Sequence, residues 1–372
     1  MNKRERLINV LENRPVDYVP VLLFHHFCDE KDWDQGLVNS AAFEKNIIEH
    51  KNARKVFDPD VIKVMNDALM MLPVDLSFIR EAADLQKIKP FSMDCRFIKK
   101  SVELTKRSLE CFKDSDAPIY TTAFSPSYTL RWFMRDREED LLQFIEEDPS
   151  SLAIALRSIA KSLIEFNRVL IEETDVDGFY YCVNNQNNFF EDSLFNTHVA
   201  PYEKVVLEKA NELSDINILH ICGYDSLSND LKLFKDFEAA AFNWDVDAEG
   251  VSLTEGKKLF GGNVTLINGM EIRPKDLKGV LGIKNWANEE SFVFQNYTSG
   301  GKSVFKGDKQ EKKGYTTQLT KKAKQYQMGR LEARKYLTLD WEMPLDYADP
   351  ETNFLLSDMF YSEQERFYGR RT

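Results

Sequence analysis

Cysteine and histidine are scarce in this sequence, with five of each among 372 residues. Cys28, Cys95, Cys111, Cys182 and Cys222 are odd in number and widely scattered, which argues against a disulfide framework and suits a reducing cytoplasm. No segment supplies the ~18 uninterrupted apolar residues of a membrane span. The opening MNKRERLINVLENRP is charged and helix-patterned and lacks the apolar core of a secretory signal. Positive charge is in deficit, with 49 Lys and Arg against 61 Asp and Glu and a formal charge of −12. That balance argues against broad nucleic-acid binding and fits an acidic enzyme with a small-molecule substrate. Also missing are a Gly-x-Gly-x-x-Gly after the first strand, a P-loop, a Gly-x-Ser-x-Gly and a His-Glu-x-x-His. Dinucleotide, nucleoside-triphosphate, serine-hydrolase and zincin chemistries therefore have no support.

What the sequence does have is alternation. Apolar, β-branched runs occur at 18–24 (YVPVLLF), 61–66 (VIKVMN), 119–124 (IYTTAF), 178–183 (GFYYCV), 216–221 (INILHI), 239–244 (AAAFNW) and 263–268 (NVTLIN). Between them lie amphipathic stretches with apolar residues at i, i+3 and i+4, such as PSSLAIALRSIAKSLIEFNRVLIEET and YEKVVLEKANEL. Strands alternating with helices predict a parallel sheet, and their number over about 250 residues fits a (β/α)8 TIM barrel. The barrel-like domain is expected at 1–275. After it the sequence turns lysine-rich and loses its periodicity, so 276–372 reads as a divergent extension that either completes the barrel or was acquired by rearrangement. A candidate eighth strand is 335–341 (KYLTLDW).

Barrel active sites form at the strands' C-terminal ends, and several polar residues fall there. His220 and Cys222 are two apart, so on a strand they share one face. That pairing leaves open a zinc site, with Cys182 at the end of the preceding strand as the best-placed third ligand, a catalytic His220, or simple pocket lining. Asp67 closes the second strand and serves as acid, base or charge anchor, or else caps the next helix. His25 and His26 end the first strand. The run from Asn184 to Asn188 offers amide donors and acceptors, or an ordinary turn-rich loop. Expected substrate contacts are His25, Tyr181, Asn184, Gln186 and Asn243.

Together these residues resemble the uroporphyrinogen decarboxylase superfamily, which includes tetrapyrrole decarboxylases and zinc-dependent, corrinoid-linked methyltransferases. The resemblance rests on NKRERLINVLENRPVDYVPV, FDPDVIKVMND, VDGFYYCVNNQN, VAPYEKVVLEKANE, NILHICGYDSLSNDL and AAAFNWDVDAEGVSLTEGKKLFGG, in that order over roughly residues 1–270. It implies a barrel with its pocket at the strand C-termini and makes Asp67 the functional aspartate. The nominal activity it implies is decarboxylation of a tetrapyrrole-type carboxylate, with Asp67 and His220 catalytic and no metal or organic cofactor. The alternative is methyl transfer to a thiol on Zn²⁺ held by His220, Cys222 and Cys182, with a corrinoid protein or another methyl donor. A third is an inactive or rearranged family member. A homodimer is the implied assembly. Three departures stand out: VLLFHHFCDE lacks the family's substrate-gripping arginines, no histidine follows His220, and no cysteine follows Cys222.

Overall fold

In the computed structural model the described residues are 1–269, apart from 25, 29, 57, 224–226 and 262–263, together with the strand 292–297. The β-branched and aromatic runs form eight strands: β1 (Val21–Phe24), β2 (Ile62–Val64), β3 (Ile119–Phe124), β4 (Gly178–Val183), β5 (Ile218–Ile221), β6 (Ala241–Asp245), β7 (Thr265–Gly269) and β8 (Phe292–Tyr297). They pair in the order β1-β8-β7-β6-β5-β4-β3-β2, every pairing parallel. Leu22 and Val61 form a further parallel bridge, and the Asp60 and Val61 amides donate to the Val21 carbonyl. The result is an α/β fold on a curled parallel sheet. The 335–341 segment lies outside the described residues, and the strand between β7 and β1 is Phe292–Tyr297, inside the stretch read from the sequence as an extension.

The crossovers are helical, as parallel pairing demands. α1 (Lys3–Leu11) precedes β1; α2 (Ser40–Val56) and α3 (Arg96–Glu110) follow β1 and β2. Between β3 and β4 lie α4 (Pro126–Met134), α5 (Glu138–Glu147) and α6 (Pro149–Glu173); α7 (Ala200–Asn211) follows β4 and α8 (Leu253–Phe260) follows β6. α6 begins where Asp148 accepts from the Ser150 and Ser151 amides and Pro149 needs no donor. Among the described residues, no helix is long and apolar enough to cross a membrane.

Strand alternation splits the core in two. Leu22, Val61, Met65, Tyr120, Phe124, Tyr180, Cys182, Ile218, Ala241 and Ile267 form one cluster inside the curled sheet. Phe179, Tyr181, Val183, Leu219, Ile221, Phe242, Trp244 and Leu266 face the other way, into the helices. α1 closes the N-terminal end, sending Leu7 and Val10 into the inner cluster while the Thr265 hydroxyl donates to the Val10 carbonyl at 3.0 Å. From the same helix Arg6 makes a two-pronged contact with Asp17 (2.7 and 2.9 Å) and reaches Asp60 at 2.9 Å. Asp60 also accepts from the Tyr18 hydroxyl and the Val21 amide.

The outer layer leaves little slack. A Cβ on Gly256 of α8 would stand 2.2 Å from the Trp244 ring, whose indole N–H is fixed on the Val251 carbonyl at 2.8 Å. Gly256→Ala is expected to cost about 1–3 kcal/mol through overpacking. A urea midpoint equal to wild type would show that α8 moves away freely.

Candidate active site

The ends of the strands bring together residues far apart in sequence. Asp67 is fully buried just after β2 and faces the loop that follows β1. One of its oxygens meets His26 Nδ1 at 2.6 Å; the other accepts the Phe27 amide and, at 2.9 Å, the Cys28 amide. Because a carboxylate only accepts, His26 donates from Nδ1, and Nε2 becomes the nitrogen that exchanges protons. The His26 side chain is 13% exposed and lies 4.5 Å from the Trp33 ring, so it reaches toward solvent while Asp67 does not. Asp67 thus anchors this loop and orients the histidine. His25 lies outside the described residues.

Deeper inside, Cα register sets Cys182 beside His220 and His220 beside Asn243. The Asn243 amide nitrogen donates to the Ile267 carbonyl at 2.9 Å, so its oxygen is an acceptor. That oxygen takes the Tyr180 hydroxyl and His220 Nδ1, which fixes the lone pair of His220 on Nε2. Burial, then the charge of Lys63, pushes His220 down to about 3. Lys63 was not among the residues expected from sequence. It lies at an inward position of β2 between Val61 and Met65, buried, with its amine 4.6 Å from the centre of the Tyr180 ring. Burial lowers it to about 8, against the opposing pull of Cys182, Asp67 and Cys222.

The mouth is furnished chiefly by α4, whose N-cap Ser125 accepts from the Tyr128 amide. Arg131 reaches Asn184 Oδ1 at 3.2 Å and lies over the Phe189 ring at 4.0 Å. Trp132 donates to Asp34 at 3.0 Å, sits 6.1 Å from Trp33, and carries Arg135 over its ring at 4.5 Å. Beneath α4, the Ser125 and Ser127 hydroxyls donate to Glu203 of α7, whose carboxyl burial pushes up to about 7.

Other expected residues are placed differently. Tyr181 requires correction: it neighbours Cys182 on one strand, so it points outward, fully buried, with its hydroxyl on the Glu203 carbonyl at 3.0 Å. It cannot share a pocket with Cys182. Gln186 is scaffold, donating to the Cys222 carbonyl at 2.9 Å. Asn184 does reach the mouth, beside Arg131.

His220, Cys222 and Cys182 are the residues that would hold the expected zinc. Among the described residues, no three or more His, Cys, Asp and Glu side chains are placed to hold a metal ion. Burial pushes the Cys222 thiol up to about 12 and Cys182 higher still, and a bound metal would hold both as thiolates. The positive charge of Lys63 acts on all three residues.

The same burial predicts an acid response. His50 is fully buried, with Nδ1 on the Asn46 carbonyl at 2.7 Å and Nε2 accepting the Met65 amide at 3.2 Å; burial lowers it to about 4. Its folded value lies below the ordinary 6.5, so the unfolded chain protonates first as pH falls. The stability it gives at neutral pH is therefore lost between about 6.5 and about 4. Glu203 and Glu249, both raised to about 7, act oppositely: their stabilisation is present at low pH and lost as pH rises through 7. Comparing wild type with His50→Asn cancels those carboxyls. The variant's urea-derived stability is expected to fall less steeply over this window, by about 1.4 kcal/mol per pH unit; parallel lines would show that His50 is not held neutral.

Three comparisons place these features among known proteins. A protein-family model described as Uroporphyrinogen decarboxylase (URO-D) matches residues 69–292, from just after Asp67 to the first residue of β8. Among curated proteins, none matches. Among solved structures, a methyltransferase from Methanosarcina mazei superposes with a TM-score of 0.58 at 12% identity, covering 93% of this chain and 99% of that one. At that identity the likeness is one of fold.

Proposed function

This chain belongs to the uroporphyrinogen decarboxylase family, and from that premise we propose that its mouth removes carboxylate groups from a tetrapyrrole-type substrate without a metal. We also take the sheet to be a complete (β/α)8 barrel. The observation that carries the reading is the His26–Asp67 pair. Decarboxylation breaks a carbon–carbon bond, releases CO₂ and leaves the bonding electrons on the substrate carbon, which must then gain a proton. His26, backed by Asp67 on Nδ1, can deliver that proton from Nε2. The first-strand loop lacks arginines, and Arg131 and Arg135 bring guanidinium groups from α4 and its C-cap instead. Trp33, Trp132 and Phe189 offer flat faces beside them for individual pyrrole rings.

The test is incubation with uroporphyrinogen under anaerobic, reducing conditions, with product carboxylates counted by mass spectrometry. Stepwise losses of CO₂ are expected. Unchanged substrate, alongside turnover by a control enzyme, would remove the reading. Methyl transfer to a thiol is the second reading, favoured by the shared inward face of Cys182 and His220 and by the methyltransferase of similar fold. Near-stoichiometric zinc in protein purified without chelators would favour it.

A further inference from the structure

We propose that Asp34 is a positioning residue: its carboxylate ties α4 to the loop after β1 and sets Trp33, Trp132 and Arg135 as one substrate grip. That the grip holds a carboxylate-bearing pyrrole rests on the reading of the mouth given above; the positioning itself does not.

The loop comes first. Asp34 has a φ of 57°, a left-handed conformation that aspartate tolerates better than most side chains. Its own amide donates to the Asp67 carbonyl at 2.9 Å, and the Gly36 amide donates to the Ala68 carbonyl at 2.7 Å. A Cβ on Gly36 would stand 2.7 Å from that Ala68 oxygen, so the two backbones meet with no room for a side chain. The segment carrying Trp33 is thereby fastened to the segment that begins at Asp67.

The Asp34 side chain then joins α4 to this pair. One oxygen accepts the Met71 amide at 2.8 Å, and the other accepts the Trp132 indole N–H at 3.0 Å. Burial raises Asp34 to about 6, so at neutral pH it is ionised and both oxygens accept. Trp33 spends its own N–H on the Cys28 carbonyl at 3.2 Å. Both indoles are therefore held by their edges, half-buried against the inner cluster, with ring centres 6.1 Å apart. His26 lies 4.5 Å from the first ring and Arg135 lies 4.5 Å over the second. Fixing the indoles thus also fixes the histidine and the guanidinium beside them.

Asp34→Gly tests this, because glycine adopts the left-handed backbone freely and removes both acceptors. The first readout is the far-ultraviolet circular-dichroism couplet of two neighbouring indoles. Wild type should show it, Trp33→Phe and Trp132→Phe should each abolish it, and Asp34→Gly should lose it. Asp34→Asn keeps one acceptor and should fall between; it carries the same tests if the glycine variant does not fold. The second readout is the uroporphyrinogen assay. There KM should rise about tenfold in Asp34→Gly, with kcat changed far less, since the hydrogen bond that is lost involves a charged group. In the double variant Asp34→Gly/Trp132→Phe, KM should rise no further than in Trp132→Phe alone, because Asp34 acts through that indole. A wild type without a couplet, an unchanged couplet in the Asp34 variants, or additive losses in the double variant would each overturn the proposal. A couplet lost in Asp34→Gly, with no uroporphyrinogen consumed by wild type, would keep the positioning and discard the decarboxylase reading.

Discussion

Replacing Arg6 with alanine is expected to cost about 3–5 kcal/mol, a large fraction of the stability of an ordinary domain. The magnitude follows from what is left behind. Arg6 and Asp60 are both almost wholly buried, and the guanidinium also grips Asp17 and covers the Tyr18 ring at 3.6 Å. Truncation strands the Asp60 carboxylate, where burial already opposes its charge. Asp60 cannot move toward solvent, because its oxygens also hold Tyr18 and the amide of Val21 at the start of β1. Arg6→Lys keeps a charge but loses the two-pronged grip on Asp17, so it should fall between the two. Urea titrations with an unchanged m-value would report this loss as a shifted midpoint. A loss below about 1 kcal/mol, as for a surface pair, would show that the network is solvated.

The second large effect concerns activity. In the decarboxylation assay, His26→Ala is expected to lower kcat/KM by about 10²–10⁴-fold, the usual worth of a positioned acid–base group. Asp67→Asn is the more telling change. A single amide oxygen must then serve either the Phe27 and Cys28 amides or His26, not both. If it keeps the backbone pair, the amide nitrogen faces His26 and reverses the ring's tautomer. Activity should fall and the pH–rate profile should move, whereas a change that merely loosened the loop would lower the rate at every pH alike. Near-wild-type kcat/KM in Asp67→Asn would remove Asp67 as the orienting group.

These expectations show which features could be read in the sequence. β3 and β4 match their predicted spans because each apolar run is bounded by turn residues or a charged neighbour. β8 escaped notice because its run, FVFQNY, has only three apolar residues before Gln295 and Asn296 and sits in a segment without helical periodicity. The pairing of His220 with Cys222 on one face followed from a period of two. The error at Tyr181 broke that same rule, since Tyr181 and Cys182 are adjacent. All six residues of β4 are buried, so hydrophobicity alone could not tell its two faces apart. Lys63 was passed over for a related reason. A lysine inside a short strand looks like a solvated position, yet the alternation of β2 sends it inward between Val61 and Met65. The hydrogen bonds of Asp67 depend on a loop forty residues away, and no local pattern encodes them.

The contact between Thr265 and the Val10 carbonyl spans 255 residues of chain. α1 leaves the ribosome ahead of its partner in the last inner strands, which follows only after roughly 10–50 s at ordinary elongation rates. Over that interval Leu7 and Val10 have no inner face of the curled sheet to pack against. The docking of α1, with its high cost in loop closure, is thus a late event in folding. It makes the amino-terminal helix a final latch, so unfolding should begin there as well. Hydrogen exchange would register this as early loss of protection in α1 and β1, ahead of β3 to β5.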